Sequence, residues 1–470
     1  MSECIKRTTE KPAPEGREEY AKRVFSLISE KEYKCFVQTF GCQQNEADSE
    51  RIAGMAVQMG YSLTNDPDEA DLIVVNTCAV REHAEKKALS LIGQYKHCKT
   101  KNHDLIIAVC GCMPSQEHRA DEIKHKYPYV DFTFGTSDIY MFPELLYRRL
   151  SGGKRLFVIP ESTPPVVEDI PVVRESNYKA WVSIMYGCNN FCSYCIVPYV
   201  RGRERSRHPE AIEAEVRQLV EDGYKDITLL GQNVNSYGRG CDFNCDFADL
   251  LERLASIEGD YKLHFMTSHP KDATKKLIDV MARNEHIARQ FHLPLQSGSS
   301  EILRIMNRGY TAEKYLDTVN YIKEKLPEAT LSTDIIVGFP GETEEDFEKT
   351  LEILANVRYD MVFSFIYSPR NGTPAAKMTN AIPDEVKTDR MRRLLDLQTE
   401  IASELNSECL GKTYRVICQG KSKNNEGMLE GRTEGNKILL FASETASEGD
   451  YVNVKVTKTQ PYALIGEEVK

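Results

Sequence analysis

No apolar stretch in the 470 residues approaches the roughly 18–20 needed to cross a bilayer, so no membrane-spanning helix is expected. The first twenty residues, MSECIKRTTEKPAPEGREEY, contain no apolar core of a secretory signal, and the expected location is a reducing cytoplasm. A basic excess is also missing. The 60 Lys and Arg face 71 Asp and Glu, a formal net charge of −11 that argues against indiscriminate binding to polyanions. The 14 Cys are too sparse for a disulfide scaffold but suffice for metal sites. No internal repeat is visible. What is present, 41% hydrophobic and 28% charged residues, suits a soluble globular chain of about two to four domains.

The chain divides by pattern. Residues 1–32 are charged and weakly periodic, and read as a flexible extension with one short helix near 17–30. Over 33–149, apolar runs alternate with helical stretches. KCFVQTFG precedes NEADSERIAGMAVQMG, DLIVVNTC precedes REHAEKKALSLIGQY, and DLIIAVCGC precedes a Pro and a polar helix. This alternation predicts parallel βαβ units whose strands are covered on both faces. Residues 150–173, with ESTPPVVEDIPVV, read as a linker. A second alternation fills 174–404, with strands expected at AWVSIMYG, DITLLGQ, KLHFMTS, FHLPLQ, LSTDIIVGF and MVFSFIYS. Six βα units predict an incomplete (β/α)6 barrel, since eight are usual. Over 407–470, KTYRVICQG, GMLEGRT, KILLF and YVNVKVTKT, separated by Gly, Asn and Ser, predict a small β-barrel. Nine basic and nine acidic residues balance over 408–470, so the net negative charge lies on the rest. The fold class expected is α/β: a parallel α/β domain, an open barrel and a β-barrel.

Gly187-Cys188-Asn189-Asn190-Phe191-Cys192-Ser193-Tyr194-Cys195 spaces three Cys as C-x3-C-x2-C directly after the first strand of the second unit. In a β/α barrel that is a loop at the C-terminal mouth, where active sites sit. Three thiolates on one tight loop can hold three irons of a 4Fe-4S cluster and leave the fourth open to a substrate or cofactor. Structural zinc wants four ligands, usually as two pairs, and no second C-x-x-C lies nearby. Cys42, Cys78 and Cys112 each sit where an apolar strand gives way to a loop. Parallel strands share one edge at such ends, so the three either converge as a second cluster site or are ordinary buried thiols. Cys110 points away from Cys112 only if its strand persists. Cys4, Cys35, Cys98, Cys409 and Cys418 read as plain thiols, and Cys241 with Cys245 as part of a solvated insertion.

GCNNFCSYC followed by IVPYVRGRERSRHP resembles the radical S-adenosylmethionine methylthiotransferases. FGCQQNEADSE, VVNTCAVREHAEKKA and CGCMPSQ are similar to that family's N-terminal domain, and the C-terminal segment to its RNA-binding TRAM module. The resemblance spans about 33–470 in the family's order. It implies a radical-SAM barrel, two 4Fe-4S clusters, S-adenosylmethionine and an electron donor protein. Cys188, Cys192 and Cys195 would hold the cluster that binds and cleaves S-adenosylmethionine. Cys42, Cys78 and Cys112 would hold an auxiliary cluster that supplies sulfur. Leu229-Leu230-Gly231-Gln232-Asn233-Val234-Asn235-Ser236-Tyr237-Gly238 is similar to the branch acting on isopentenylated adenosine beside a tRNA anticodon. Other branches act on threonylcarbamoylated adenosine or on a ribosomal-protein aspartate. An unrelated alternative is a non-catalytic iron–sulfur RNA-binding protein. The expected partner is a tRNA anticodon stem-loop, the expected state a monomer.

The resemblance places Tyr194 near the cofactor's adenine, where it stacks or contacts through its backbone, or else serves as an aromatic gap-filler. At strand ends facing the barrel mouth, Gln232, Asn233, Ser268, His269, Gln296, Ser297 and Asp334 read as ligand-facing, while His269-Pro270 equally fits a helix start. Gly338-Phe339-Pro340-Gly341-Glu342-Thr343 reads as a turn before a helix capped by Thr343, or as backbone approaching the cofactor. Arg201, Arg203, Arg205 and Arg207 alternate after the cluster loop and suit phosphate or carboxylate contacts, or else a solvated strand edge paired with Glu204.

Overall fold

Seven parallel strands form the first sheet of the computed structural model: β1 (Glu3–Ile5), β2 (Tyr33–Phe40), β3 (Tyr61–Leu63), β4 (Leu72–Thr77), β5 (Ile106–Gly111), β6 (Phe132–Gly135) and β7 (Leu156–Val158). Their order is β1-β7-β6-β5-β4-β2-β3. The structure describes residues 3–5, 16–80, 82–158, 165–423 and 425–469. Residues 6–15 of the expected extension, 159–164 of the expected linker and the Cys4 thiol lie outside the described residues. On β4 and β5, Leu72, Val74, Ile106, Ala108 and Cys110 face one apolar layer, while Ile73, Val75, Ile107 and Val109 face another. Both faces are covered, which is why these strands read as unbroken apolar runs.

The boundary expectations need two corrections. Helix α1 (Gly16–Ile28) buries Ala21, Val24 and Ile28 in the core of the first sheet, and Arg17 donates to the Asp169 carbonyl at 2.9 Å. These residues belong to the domain, held by a narrow apolar stripe that charged neighbours mask in the sequence. The expected linker likewise supplies β7 to the same sheet.

The second unit has six parallel strands: β8 (Lys179–Ser183), then, after the two-residue pair β9 (Met185–Tyr186) and β10 (Arg205–Ser206), β11 (Asp226–Leu230), β12 (Lys262–Phe265), β13 (Gln290–His292), β14 (Thr330–Val337) and β15 (Met361–Ile366). They pair as β8-β11-β12 and β13-β14-β15, and a parallel bridge from Leu263 to Ile287 joins the halves. Among the described residues, no strand pairing closes the barrel between β8 and β15. Ala180, Val182, Ile227, Leu229, Leu331, Ile335 and Val362 point outward into one core shared with the helices. The alternate residues therefore face the lumen.

Five strands close the third unit: β16 (Thr413–Lys421), β17 (Leu429–Thr433), β18 (Ile438–Ala442), β19 (Tyr451–Gln460) and β20 (Ala463–Glu468), in the order β16-β17-β18-β20-β19. Four were expected from the sequence; β20 was not. This barrel docks beneath the strand starts of the open barrel. Arg415 forks onto Asp260 at 3.1 and 2.7 Å, Lys225 donates to the Gly449 carbonyl at 2.8 Å, and Lys262 pairs with Glu434 at 3.0 Å. The seam and the lumen share a polar cavity of about 300 Å³ bordered by Lys179, Lys262, His264, Gln290 and Arg432.

Candidate active site

The adjacent strands β2, β4 and β5 end at one sheet edge, and each hands over to a Cys: Cys42, Cys78 and Cys112. The Cys112 amide donates to the Thr77 carbonyl at 2.7 Å, tying two of these ends together. Asn45 Nδ2 reaches Asn76 Oδ1 at 3.1 Å, and Asn76 Nδ2 returns to the Asn45 carbonyl at 2.8 Å, so a buried amide pair fixes the start of helix α2 (Gln43–Gln58) over the same edge. Gly111 has φ +97°, and a Cβ there would lie 2.3 Å from the Thr77 carbonyl oxygen, so only glycine lets Cys112 approach this closely. Cys42 is exposed; Cys78 and Cys112 are buried. Burial pushes the Cys112 thiol up to about 12, with Arg201 opposing that rise and Cys78 and Cys42 close enough to add to it.

The second triplet lies on the loop after β8. The Cys188 amide donates to the Gly202 carbonyl at 3.1 Å, and Gly187, at φ +73°, passes so close that a Cβ would sit 2.1 Å from the Arg203 carbonyl oxygen. Burial pushes Cys188 and Cys195 up to about 12, and Cys192 contributes to both rises. Arg308 reaches the loop from the far side of the barrel. It is buried, donates from Nη1 to the Cys192 sulfur at 3.3 Å and from Nη2 to the Pro294 carbonyl at 2.9 Å. Burial opposes its charge, but Tyr194, Tyr310 and Cys192 hold its pKa well above the ordinary value. Four backbone positions around this mouth, Phe191, Thr267, Gln296 and Asn307, hold left-handed φ without being glycine. Such strain gathers where structure is committed to a ligand.

The two triplets meet at one seam. Ala79, Cys112, Ile196 and Val200 form a single buried cluster that joins the loop after Cys78 to the loop after Cys195. Around it, Gln44 Nε2 donates to Ser183 Oγ at 2.8 Å and Thr136 Oγ1 to the Val200 carbonyl at 3.0 Å. Arg201 Nη1 pairs with Asp48 at 3.2 Å, both side chains buried.

Among the described residues, no three His, Cys, Asp or Glu side chains converge tightly enough for a single metal ion. A cubane cluster takes one thiolate per iron, so its ligands ring a group several atoms wide. Cys112 lies near enough to feel both Cys78 and Cys42, and Cys195 both Cys192 and Cys188, which suits that demand. The mouth also suits a polar cofactor. Ser193 Oγ, Asn233 Oδ1, Ser268 Oγ and His269 Nε2 are buried with no hydrogen-bond partner among the described residues, an arrangement costly unless a ligand supplies partners. His269 Nδ1 accepts the Lys271 amide at 3.4 Å, so it starts a short helix as one reading expected. Burial, helped by Arg308 and Lys271, drops its pKa to about 2, leaving a neutral ring with Nε2–H as the free donor.

Other expected residues fall in varied places. Tyr194 packs beside Ile336 and Phe339. Gln232 is half-buried, and Gln296 is held by backbone bonds to Asp334 and Ile336. Asp334 faces the lumen, with His292 Nε2 at 3.6 Å. Asn233 Nδ2 donates to Asp272 at 2.8 Å. The Arg run is corrected in part. Arg207 is buried between Glu168 and Glu215 at 2.7 Å each, and Arg201 serves the domain seam, so neither presents a surface to phosphate. Arg203 is exposed over the Phe191 ring at 4.3 Å, and Arg205 donates to the Arg201 carbonyl. Glu204 exchanges hydrogen bonds with Asn189. The Gly338–Thr343 loop is a turn. Thr343 caps the next helix, while Lys387 and Asn380 fill the space at Gly338 and Gly341. Arg308 and His292 were not anticipated.

Residues 182–354 match the Radical SAM superfamily, 34–135 match a family described as uncharacterized protein family UPF0004, and 407–469 match the TRAM domain. Among solved structures, the radical S-adenosylmethionine methyltransferase TsrM from Kitasatospora setae covers 89% of this chain and 84% of its own at TM-score 0.53 and 13% identity, a likeness of fold. A tRNA-2-methylthio-N(6)-dimethylallyladenosine synthase of Clostridium botulinum (strain Alaska E43 / Type E3) is 52% identical over 435 residues, 93% of this chain and 95% of that protein. One from Clostridium beijerinckii is 50% identical over 444 residues, 94% and 98% of the two chains. With half its residues shared along nearly its whole length, this chain belongs to the family of tRNA-2-methylthio-N(6)-dimethylallyladenosine synthases.

Proposed function

We propose that the protein is a radical S-adenosylmethionine tRNA methylthiotransferase that converts N6-isopentenyladenosine at tRNA position 37 to its 2-methylthio derivative. The observation that carries this reading is the buried cluster of Ala79, Cys112, Ile196 and Val200, which packs the residues after Cys78 and Cys195 together, because a carbon that must lose hydrogen and gain sulfur has to lie within reach of both triplets. When bound, the two 4Fe-4S clusters and S-adenosylmethionine supply what no side chain can: a radical able to take hydrogen from an aromatic carbon, a sulfur atom and a methyl group.

The chain's own residues position and exclude. Cys188, Cys192 and Cys195 hold the cluster that meets S-adenosylmethionine, and Cys42, Cys78 and Cys112 hold the auxiliary one. The His269 Nε2–H, Ser193, Asn233 and Ser268 face the cofactor, with Gln232, Gln296 and Asp334 nearby and Tyr194 beside its adenine. The α2 contact with β8 closes one lip of the barrel and keeps water from the seam. The TRAM barrel and the Lys179–Lys262 lumen receive the anticodon loop. The target base leaves its stack to reach the mouth. The enzyme works in the cytoplasm as a monomer and takes electrons from a donor protein. No described helix is long and apolar enough to cross a membrane.

Mass spectrometry of tRNA nucleosides tests the reading. A deletion strain should accumulate isopentenyladenosine and lack its 2-methylthio form; unchanged 2-methylthio-isopentenyladenosine would overturn the assignment.

A further inference from the structure

The lumen of the open barrel is polar on most strands. Lys179, Asp226, Thr228, Lys262, His264 and Gln290 face it from β8, β11, β12 and β13. The last strand departs from this pattern. In the parallel register of β14 and β15, Asp334 lies beside Phe363 and Ile336 beside Phe365, while Val362, one position along, points outward into the core. Phe363 and Phe365 therefore share the inner face with Asp334 and Ile336. They are 41% and 39% exposed, although side chains on such a face normally pack a barrel's centre. The Phe363 ring meets His292 edge-on at 5.8 Å. Beside Phe365 in the register, Ile336 belongs to an apolar cluster against which Tyr194 of the Cys188–Cys195 loop packs.

We propose that Phe363 and Phe365 form the wall that receives the N6-isopentenyl chain of the target adenosine and so set its selection over unmodified adenosine. The inference rests on the function proposed above. On a purine, C2 and C6 flank N1 in one six-membered ring. A base with C2 directed at the seam must therefore send its N6 substituent to a surface adjoining the same mouth. A branched five-carbon hydrocarbon gains from an apolar surface and little from a Lys- or Asp-lined one. Phe363 and Phe365 are apolar, lie beside Asp334 and Ile336 and keep about two fifths of their surface accessible.

The test is equilibrium binding of three synthetic anticodon stem-loops to the anaerobic holoenzyme, followed by fluorescence anisotropy. They carry adenosine, N6-isopentenyladenosine or N6-threonylcarbamoyladenosine at the target position. The native protein should bind the isopentenyl RNA about tenfold or more tighter than the adenosine RNA, as expected for burying several methylene equivalents. The Phe363→Ser/Phe365→Ser protein should bring that ratio close to one without changing affinity for the adenosine RNA, and Phe363→Leu/Phe365→Leu should keep most of it. Retained selectivity in the Ser protein, with native iron content, would overturn the wall. So would equal weakening for both RNAs. A native protein that prefers the threonylcarbamoyl RNA would instead overturn the function on which the wall depends.

Discussion

Arg308 donates to the sulfur of Cys192 at 3.3 Å, across 116 positions of sequence. A buried cation against a thiolate ligand favours the more negative state of whatever that thiolate binds. Reduction of an iron–sulfur cluster adds negative charge, so the Arg308→Met protein should hold a cluster that is harder to reduce. The midpoint potential should fall by tens of millivolts, at about 59 mV for each tenfold of lost one-electron stabilisation. S-adenosylmethionine cleavage should slow with it. Arg308→Lys should recover part of the shift. A redox titration followed by electron paramagnetic resonance reads both. An unchanged potential in the Met protein would reduce Arg308 to a packing role with Pro294 and Tyr310.

The Arg201–Asp48 pair makes a separate prediction. Both partners are buried at the seam between the first sheet and the open barrel, and Arg201 also lies beside Cys112. Asp48→Ala leaves a buried guanidinium without its carboxylate, which should cost about 3–5 kcal/mol. Replacing both partners by apolar residues of similar size should cost less, because no lone charge remains. Denaturant unfolding of the single and double variants gives the comparison. An Asp48→Ala loss under about 1 kcal/mol would show that the pair is dispensable to docking.

The iron content divides the two triplets. Anaerobically reconstituted protein should carry about eight irons, and Cys42→Ala and Cys192→Ala should each retain about four. The two halves should differ in chemistry. Cys42→Ala should still cleave S-adenosylmethionine without forming the 2-methylthio product, whereas Cys192→Ala should do neither. Cleavage lost equally in both would mean that the triplets do not have separate roles.

The legibility of this site follows from distance along the chain. Cys188, Cys192 and Cys195 lie within eight residues, so their spacing alone points to a cluster. Cys42, Cys78 and Cys112 needed the strand order β2-β4-β5, which the sequence does not display; strand ends alone left ordinary thiols as an equal reading. Arg308 was invisible because its partner is remote and its neighbours Asn307 and Gly309 look like a turn. β1 and β7 have three residues each, too few for a periodic signal, and so were absorbed into an extension and a linker. The Arg run shows the limit most plainly. Arg201 and Arg207 are buried in ion pairs while Arg203 is exposed, and identical side chains at identical spacing carry no sign of which partner each will meet.

His269 supplies the pH prediction. Burial, Arg308 and Lys271 hold its folded pKa at about 2, far below the ordinary value of 6.5. Between those values the unfolded chain binds a proton that the folded chain refuses. Stability from this residue is therefore full above about pH 6.5 and is lost as the pH falls, at about 1.4 kcal/mol per unit. In the protein without bound cofactor, His269→Gln should flatten that part of the acid limb, with little change at pH 8. Denaturant midpoints at pH 8, 6.5 and 5.5 measure it. If the native and Gln proteins lose stability in parallel on acidification, the neutral ring assigned to His269 is wrong, and with it the Nε2–H donor facing the cofactor.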